Sequence, residues 1–246
     1  MIDILLNALL LSFILLGIHA YFGLEIVRRG IIFTDIAIAQ FSAVGLALSL
    51  FFFDRPSYFL SLSFALLSSI LIALSQRFKE YSEAFIGLMY ALGFSLVVLL
   101  LSKSPHGIEE LLKLTARDIL FVLREEIVKT SFLYAFIGFL LYIRERFLKG
   151  SLKDFAFFAL FALTVTSSVN LVGVFVVFSI LVAPALTAKL LGKGLAFAWI
   201  YGSAVNTLAI VLSFLFDLPT GFSVVFFNSF LSVLVFLVRL LSRKTS

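Results

Sequence analysis

The 246-residue sequence contains no cysteine, four prolines, two histidines and one tryptophan, and only 13% of its residues are charged. Without cysteine there is no disulfide framework, no thiolate metal ligand and no cysteine nucleophile. His19 and His106 are the whole histidine complement, which rules out a histidine-rich catalytic metal centre. The chain also lacks a phosphate-binding GxxxxGK[ST] loop, an HExxH zinc helix and a GxSxG elbow. Any ATP hydrolysis tied to this protein therefore has to take place on another polypeptide.

What is present is apolar. Hydrophobic residues make up 62% of the chain and the mean hydropathy is +1.18, well outside the range of a soluble domain. A helical span needs about 20 apolar residues, so eight or nine crossings fill the length and leave no room for a soluble domain beside them. None of the apolar runs shows the alternation of a membrane barrel strand, so backbone polar groups in lipid must be satisfied within helices. The expectation is an all-α, polytopic helical membrane bundle, read as one transmembrane domain over residues 1–246.

The expected spans are Ile4–Leu24, Ile32–Phe53, Tyr58–Leu74, Ala84–Leu101, Phe132–Ile143 extended backwards, two within Phe155–Leu186, Leu195–Phe216 and Phe222–Val238. Phe155–Leu186 is too long for one crossing and short for two, which predicts a pair of brief helices turning near Ser167–Asn170. Lys103–Lys129 reads as an amphipathic stretch lying in the interface or dipping back into the bundle. The first stretch, Met1 to Leu24, has neither a basic leader nor a small-residue cleavage site and reads as a retained span. Basic clusters recur two crossings apart: Arg28/Arg29, Arg77/Lys79, Arg144/Arg146/Lys149/Lys153, Lys189/Lys193 and Arg239/Arg243/Lys244. By the positive-inside rule these ends, and the C-terminus, face the cytoplasm. The net charge of +5 thus marks sidedness and is no nucleic-acid signal.

Ionisable and amide groups inside spans are costly, so each is a functional candidate. Asp35, with Gln40 five residues on, offers oxygen ligands for a cation among small residues that let helices pack closely. Asp35 could equally cap its helix or pair with a nearby arginine, and Gln40 could serve as an interhelical hydrogen bond. His19 lies on the first span and Glu25 six residues later on a different face. His106 with Glu109 and Glu110 forms a second possible metal cluster, or a solvated loop. Glu83, at the start of the fourth span, is explained by the helix dipole alone, while Asn170, Pro184 and Asp217 read as turn or kink positions.

Four segments, taken in order, resemble the permease family of zinc, manganese and iron ABC importers: Gly23–Arg29 followed by Phe33-Thr34-Asp35, Glu83–Ala91, Val172–Ala188 with Pro184-Ala185, and Asp217-Leu218-Pro219-Thr220-Gly221. The resemblance implies a permease for a divalent transition metal in the cytoplasmic (inner) membrane. It further implies a cytoplasmic ATPase subunit, an extracytoplasmic metal-binding protein and a second copy of the chain as partners. No cofactor is expected to reside in this chain; the metal is cargo and ATP belongs to the partner. The chain departs from the family in two places. Ala39 stands where the family commonly has a histidine four residues after the aspartate, leaving Gln40 about 140° around the helix from Asp35. The cytoplasmic connection Arg144–Asp154 is shorter than the family's usual docking segment, which leaves Arg144, Arg146, Phe147 and Lys149 as an abbreviated site of ATPase coupling. The alternative reading is a non-transporting membrane scaffold or degenerate subunit of a membrane complex. A secondary carrier ranks third, because no inverted repeat is visible.

Overall fold

The structure, a computed structural model, describes residues 2–53, 55–102 and 119–243. Among the described residues there are nine α-helices: α1 (Ile2–Arg29), α2 (Thr34–Phe53), α3 (Tyr58–Ser75), α4 (Ser82–Leu101), α5 (Arg124–Phe147), α6 (Gly150–Val172), α7 (Val174–Leu190), α8 (Leu195–Leu215) and α9 (Thr220–Arg243). Eight of them are long and apolar enough to cross a membrane; α7 is apolar but has 17 residues. At 1.5 Å per residue α7 is about 25 Å long, just under the hydrocarbon thickness of about 30 Å. The two-crossing spacing of the basic clusters holds only if α7 counts as a crossing. Large apolar side chains remain exposed along the helices, including Leu88, Leu99, Phe132, Ile200 and Val238, as expected where lipid is the solvent.

The helices fall into two compact units. The first comprises 1–29, 116–131 and 175–246. In it α1 is tied to its neighbours where side chains are small or reach backbone carbonyls. Gly23 lets α7 approach so closely that a Cβ there would lie 2.0 Å from the Leu181 carbonyl oxygen. Lys189 Nζ donates to the Val27 carbonyl at 2.9 Å, covering one of the carbonyls that a helix end leaves unbonded. Trp199 Nε1 donates to the Gly17 carbonyl at 3.1 Å from α8. On α9 the buried stripe Val224, Asn228 and Ser232 repeats every four residues. Asn228 Nδ2 donates to Asn206 Oδ1 at 2.7 Å, and Ser232 Oγ receives Thr187 Oγ1 at 3.0 Å. Such interhelical bonds average about 0.6 kcal/mol in lipid, enough to set register without dominating stability.

The second unit comprises 30–115 and 132–174. Its centre is α2, whose residues from Thr34 to Gly45 are all buried. A helix made of small and apolar residues on every face has no outer side to show. A Cβ on Gly45 would sit 2.4 Å from the Leu60 carbonyl oxygen, so α2 and α3 touch backbone to backbone. Beside that contact Ser61 Oγ donates to the Ser42 carbonyl at 2.8 Å, and the two hydroxyls lie 2.9 Å apart.

One expectation is corrected. The break between α6 and α7 falls at Gly173, whose φ of 86° favours glycine, and not at Ser167–Asn170. Those polar residues stay helical because their side chains turn back on their own helix: Ser167 Oγ and Ser168 Oγ bond the Thr164 carbonyl, and Asn170 Nδ2 bonds that of Thr166. In lipid this local option replaces a turn. The described end of the amphipathic stretch, residues 119–129, is a short 3-10 turn at Ile119–Phe121 followed by the first turns of α5; residues 103–118 lie outside the described residues.

The cytoplasmic connection is a tight corner, with Arg144, Arg146 and Phe147 in the last turn of α5 and Lys149 just beyond it. α5 continues to Phe147 and α6 begins at Gly150, leaving two residues between them. Arg144, 2% exposed, is occupied in holding this corner. Its Nε donates to the Lys153 carbonyl at 2.9 Å, its Nη1 donates to Glu145 Oε1 at 2.6 Å, and its guanidinium lies 5.0 Å from the centre of the Phe157 ring. Arg146, Phe147 and Lys149 are exposed. Arg144→Ala should therefore destabilise the detergent-purified protein by about 2 kcal/mol, the sum of a charge-assisted hydrogen bond and a ring contact. Arg146→Ala should leave thermal unfolding unchanged; equal melting of the two variants would refute this role for Arg144.

Candidate functional site

The first turn of α2 is where charge and burial meet. A helix N-terminus presents backbone N–H groups without intrahelical partners and a partial positive charge, and both attract carboxylates. Two carboxylates answer. Asp35, 1% exposed, accepts from the backbone N–H groups of Ile36 and of Asp35 itself. Glu83, in the first turn of α4, accepts from those of Ile32 and Phe33, just ahead of α2. Thr34 closes the turn, its Oγ1 donating to the Ile31 carbonyl at 2.7 Å.

These backbone contacts leave each carboxylate incomplete. Asp35 Oδ1 and Glu83 Oε2 are both buried and have no hydrogen-bond partner among the described residues. An anionic oxygen out of water and without a donor is expensive, and either a proton or a cation satisfies it.

Gln40 is buried on the same helix, its Cβ 2.9 Å from where a Cβ on Gly93 of α4 would stand. Because α2 is helical without interruption from Thr34 to Phe53, Gln40 stays about 140° from Asp35 and does not share its face. His19 belongs to the first unit, where its Nδ1 lies 2.7 Å from the Leu15 carbonyl in its own helix. Glu25 pairs with Arg28 and Arg29 at the end of α1. Within neither unit do three His, Asp or Glu side chains gather among the described residues. His106 and Glu109, with Glu110, lie outside the described residues.

Glu83 is the residue that sequence reasoning passed over. An acid in a first helical turn is explained by its own helix, and its reach to the backbone of a segment fifty residues earlier leaves no local trace. The only signal was its place at the head of the Glu83–Ala91 segment. Asp217, by contrast, occupies the expected turn with a φ of 51°, and Ser213 Oγ donates to Thr220 Oγ1 across it at 2.9 Å.

Comparison with known proteins agrees with this architecture. The ABC 3 transport family model matches residues 1–239. The structure of PsaBC from Streptococcus pneumoniae in complex with Fab superposes with a TM-score of 0.74 at 20% identity, over 95% of this chain and 91% of that one. A metal-chelate type ABC transporter in an inward-facing conformation gives 0.63 at 18% identity, over 96% of this chain and 85% of that one. An uncharacterized membrane protein from the ycf23-apcF intergenic region of Cyanophora paradoxa is 34% identical over 86 residues. That match takes in 33% of this chain and 29% of the relative, so less than a third of the relative's length is spanned. With the family match running through 239 residues, the chain belongs to the ABC 3 transport family, and among its described residues eight helices are long and apolar enough to cross a bilayer.

Proposed function

We propose that this permease imports a divalent transition metal across the cytoplasmic membrane, with Asp35 as the principal transit ligand and Glu83 as a second carboxylate at the same helix end. The observation that carries the reading is the pair of buried carboxylate oxygens without partners at the start of α2. A cargo ion must bind and leave, which suits two oxygen donors better than a closed four-ligand cage. Oxygen donors without imidazole favour manganese over zinc. Gln40 serves helix packing in this reading, and His19 stays in reserve as a ligand in the first unit.

The power stroke comes from a cytoplasmic ATPase, since the chain has no phosphate-binding loop. Two permease copies and a soluble metal-binding protein outside complete the assembly. Docking falls to the exposed Arg146, Phe147 and Lys149, with Arg144 shaping the corner beneath them. The test is reconstitution with the ATPase in proteoliposomes. ATP-dependent manganese accumulation, exceeding that of zinc, is the expected result; accumulation that needs no nucleotide would overturn it.

The two-residue connection between α5 and α6 favours a second reading, a non-transporting scaffold. Under that reading the solubilised permease would retain no ATPase on purification.

A further inference from the structure

Between α1 and the first two turns of α5, both in the first unit, lies a half-open cavity of about 460 Å³. On α1 its lining runs Asp3, Asn7, Leu10, Ile14, and on α5 it runs Arg124, Val128, each a stripe at helical spacing. As odd-numbered crossings the two helices run in the same direction, so Asp3 and Arg124 sit at one end. Along α1 the lining passes from charge to hydrocarbon with depth, and along α5 it passes from Arg124 through Ile127 and Val128 to Ser131, whose Oγ is turned back on the Ile127 carbonyl at 2.8 Å. Asp3 to Ile14 covers about 16 Å, roughly half the bilayer core.

A slot with one anion and one cation at its mouth, and apolar walls reaching toward the midplane, has the shape and polarity of one leaflet's lipid. We propose that it holds a single zwitterionic phospholipid with a primary ammonium headgroup. Arg124 takes the phosphate as a charge-assisted donor, Asp3 takes the ammonium, and one acyl chain lies along Leu10 and Ile14. An anionic lipid would satisfy Arg124 but set a second negative charge against Asp3. The volume falls within the range of small-molecule sites. Leu10 and Val128, about half exposed, form the side through which the chain enters.

The test uses the full-length protein, delipidated in detergent and returned to phosphatidylethanolamine or phosphatidylglycerol of matched acyl chains, with adducts read by native mass spectrometry. The expected result is one retained phosphatidylethanolamine, preferred about three- to fivefold over phosphatidylglycerol. Asp3→Asn should remove the preference, Arg124→Gln should weaken both lipids, and Leu10→Trp should fill the slot and abolish the adduct. Because the native chain has no cysteine, Leu10→Cys reports on the rival occupant, a second copy of the protein. Equal retention of the two lipids, an adduct that survives Leu10→Trp, or efficient Leu10→Cys disulfide cross-linking between copies would each overturn the proposal.

Discussion

If the proposed import function holds, Asp35→Ala should lower ATP-driven manganese uptake by at least about tenfold, the smaller end of what weakened support of a metal site costs, while the protein should melt at the same temperature or higher. The second half of that statement separates function from structure. A carboxylate buried at the start of a span, with Oδ1 unpartnered, costs stability, up to about 2.5–3.5 kcal/mol for a charged group at a helix centre and less near an end. A residue kept only for its fold would make the protein weaker when removed. One kept for passage of a cation makes it no weaker, and its loss shows in transport alone. Asp35→Asn should fall with the alanine variant, because the amide retains one oxygen but no charge. Full uptake by either, measured with radiolabelled metal at matched expression, would remove Asp35 from the pathway.

The second large effect is structural. Gly23→Ala should sharply reduce the yield of folded protein, since the added Cβ would stand 2.0 Å from the Leu181 carbonyl oxygen and 3.0 Å from Ala185 Cβ. Neither is the end of a flexible side chain, so α1 and α7 have to part, at a cost above the about 1–3 kcal/mol usual for overpacking. Gly17→Ala, six residues earlier on the same helix, meets nothing within 4 Å and should gain up to about 1 kcal/mol from helix propensity. Thermal unfolding in detergent distinguishes them; coincident curves for the two variants would mean that the close approach of α1 and α7 is not as described.

Hydropathy carries most of the fold because lipid allows few options: every backbone group must be bonded within the chain, so a long apolar run is a helix. The spans beginning at Tyr58 and Leu195 start in the structure where the sequence places them. What hydropathy could not rank was the choice among polar residues at a break. Ser167, Ser168 and Asn170 resemble a turn in water, yet in a membrane each finds a carbonyl one turn back, and the break passes to Gly173. The candidate site was half legible. Asp35 stood out as an acid in an apolar run, whereas Glu83 acquires its meaning only when α4 is set beside the start of α2. Arg144 was legible as a cytoplasmic charge but not as a buried one, because its partners Lys153 and Phe157 belong to the next helix.

The bond from Trp199 to the Gly17 carbonyl gives the molecule a built-in optical reporter. The chain holds a single indole, 42% exposed, and hydrogen-bonded to a helix 182 positions away. Its fluorescence therefore senses one place, the seam between α1 and α8, without any label. A change in emission colour on adding metal or nucleotide would time the parting of those two helices during a working cycle.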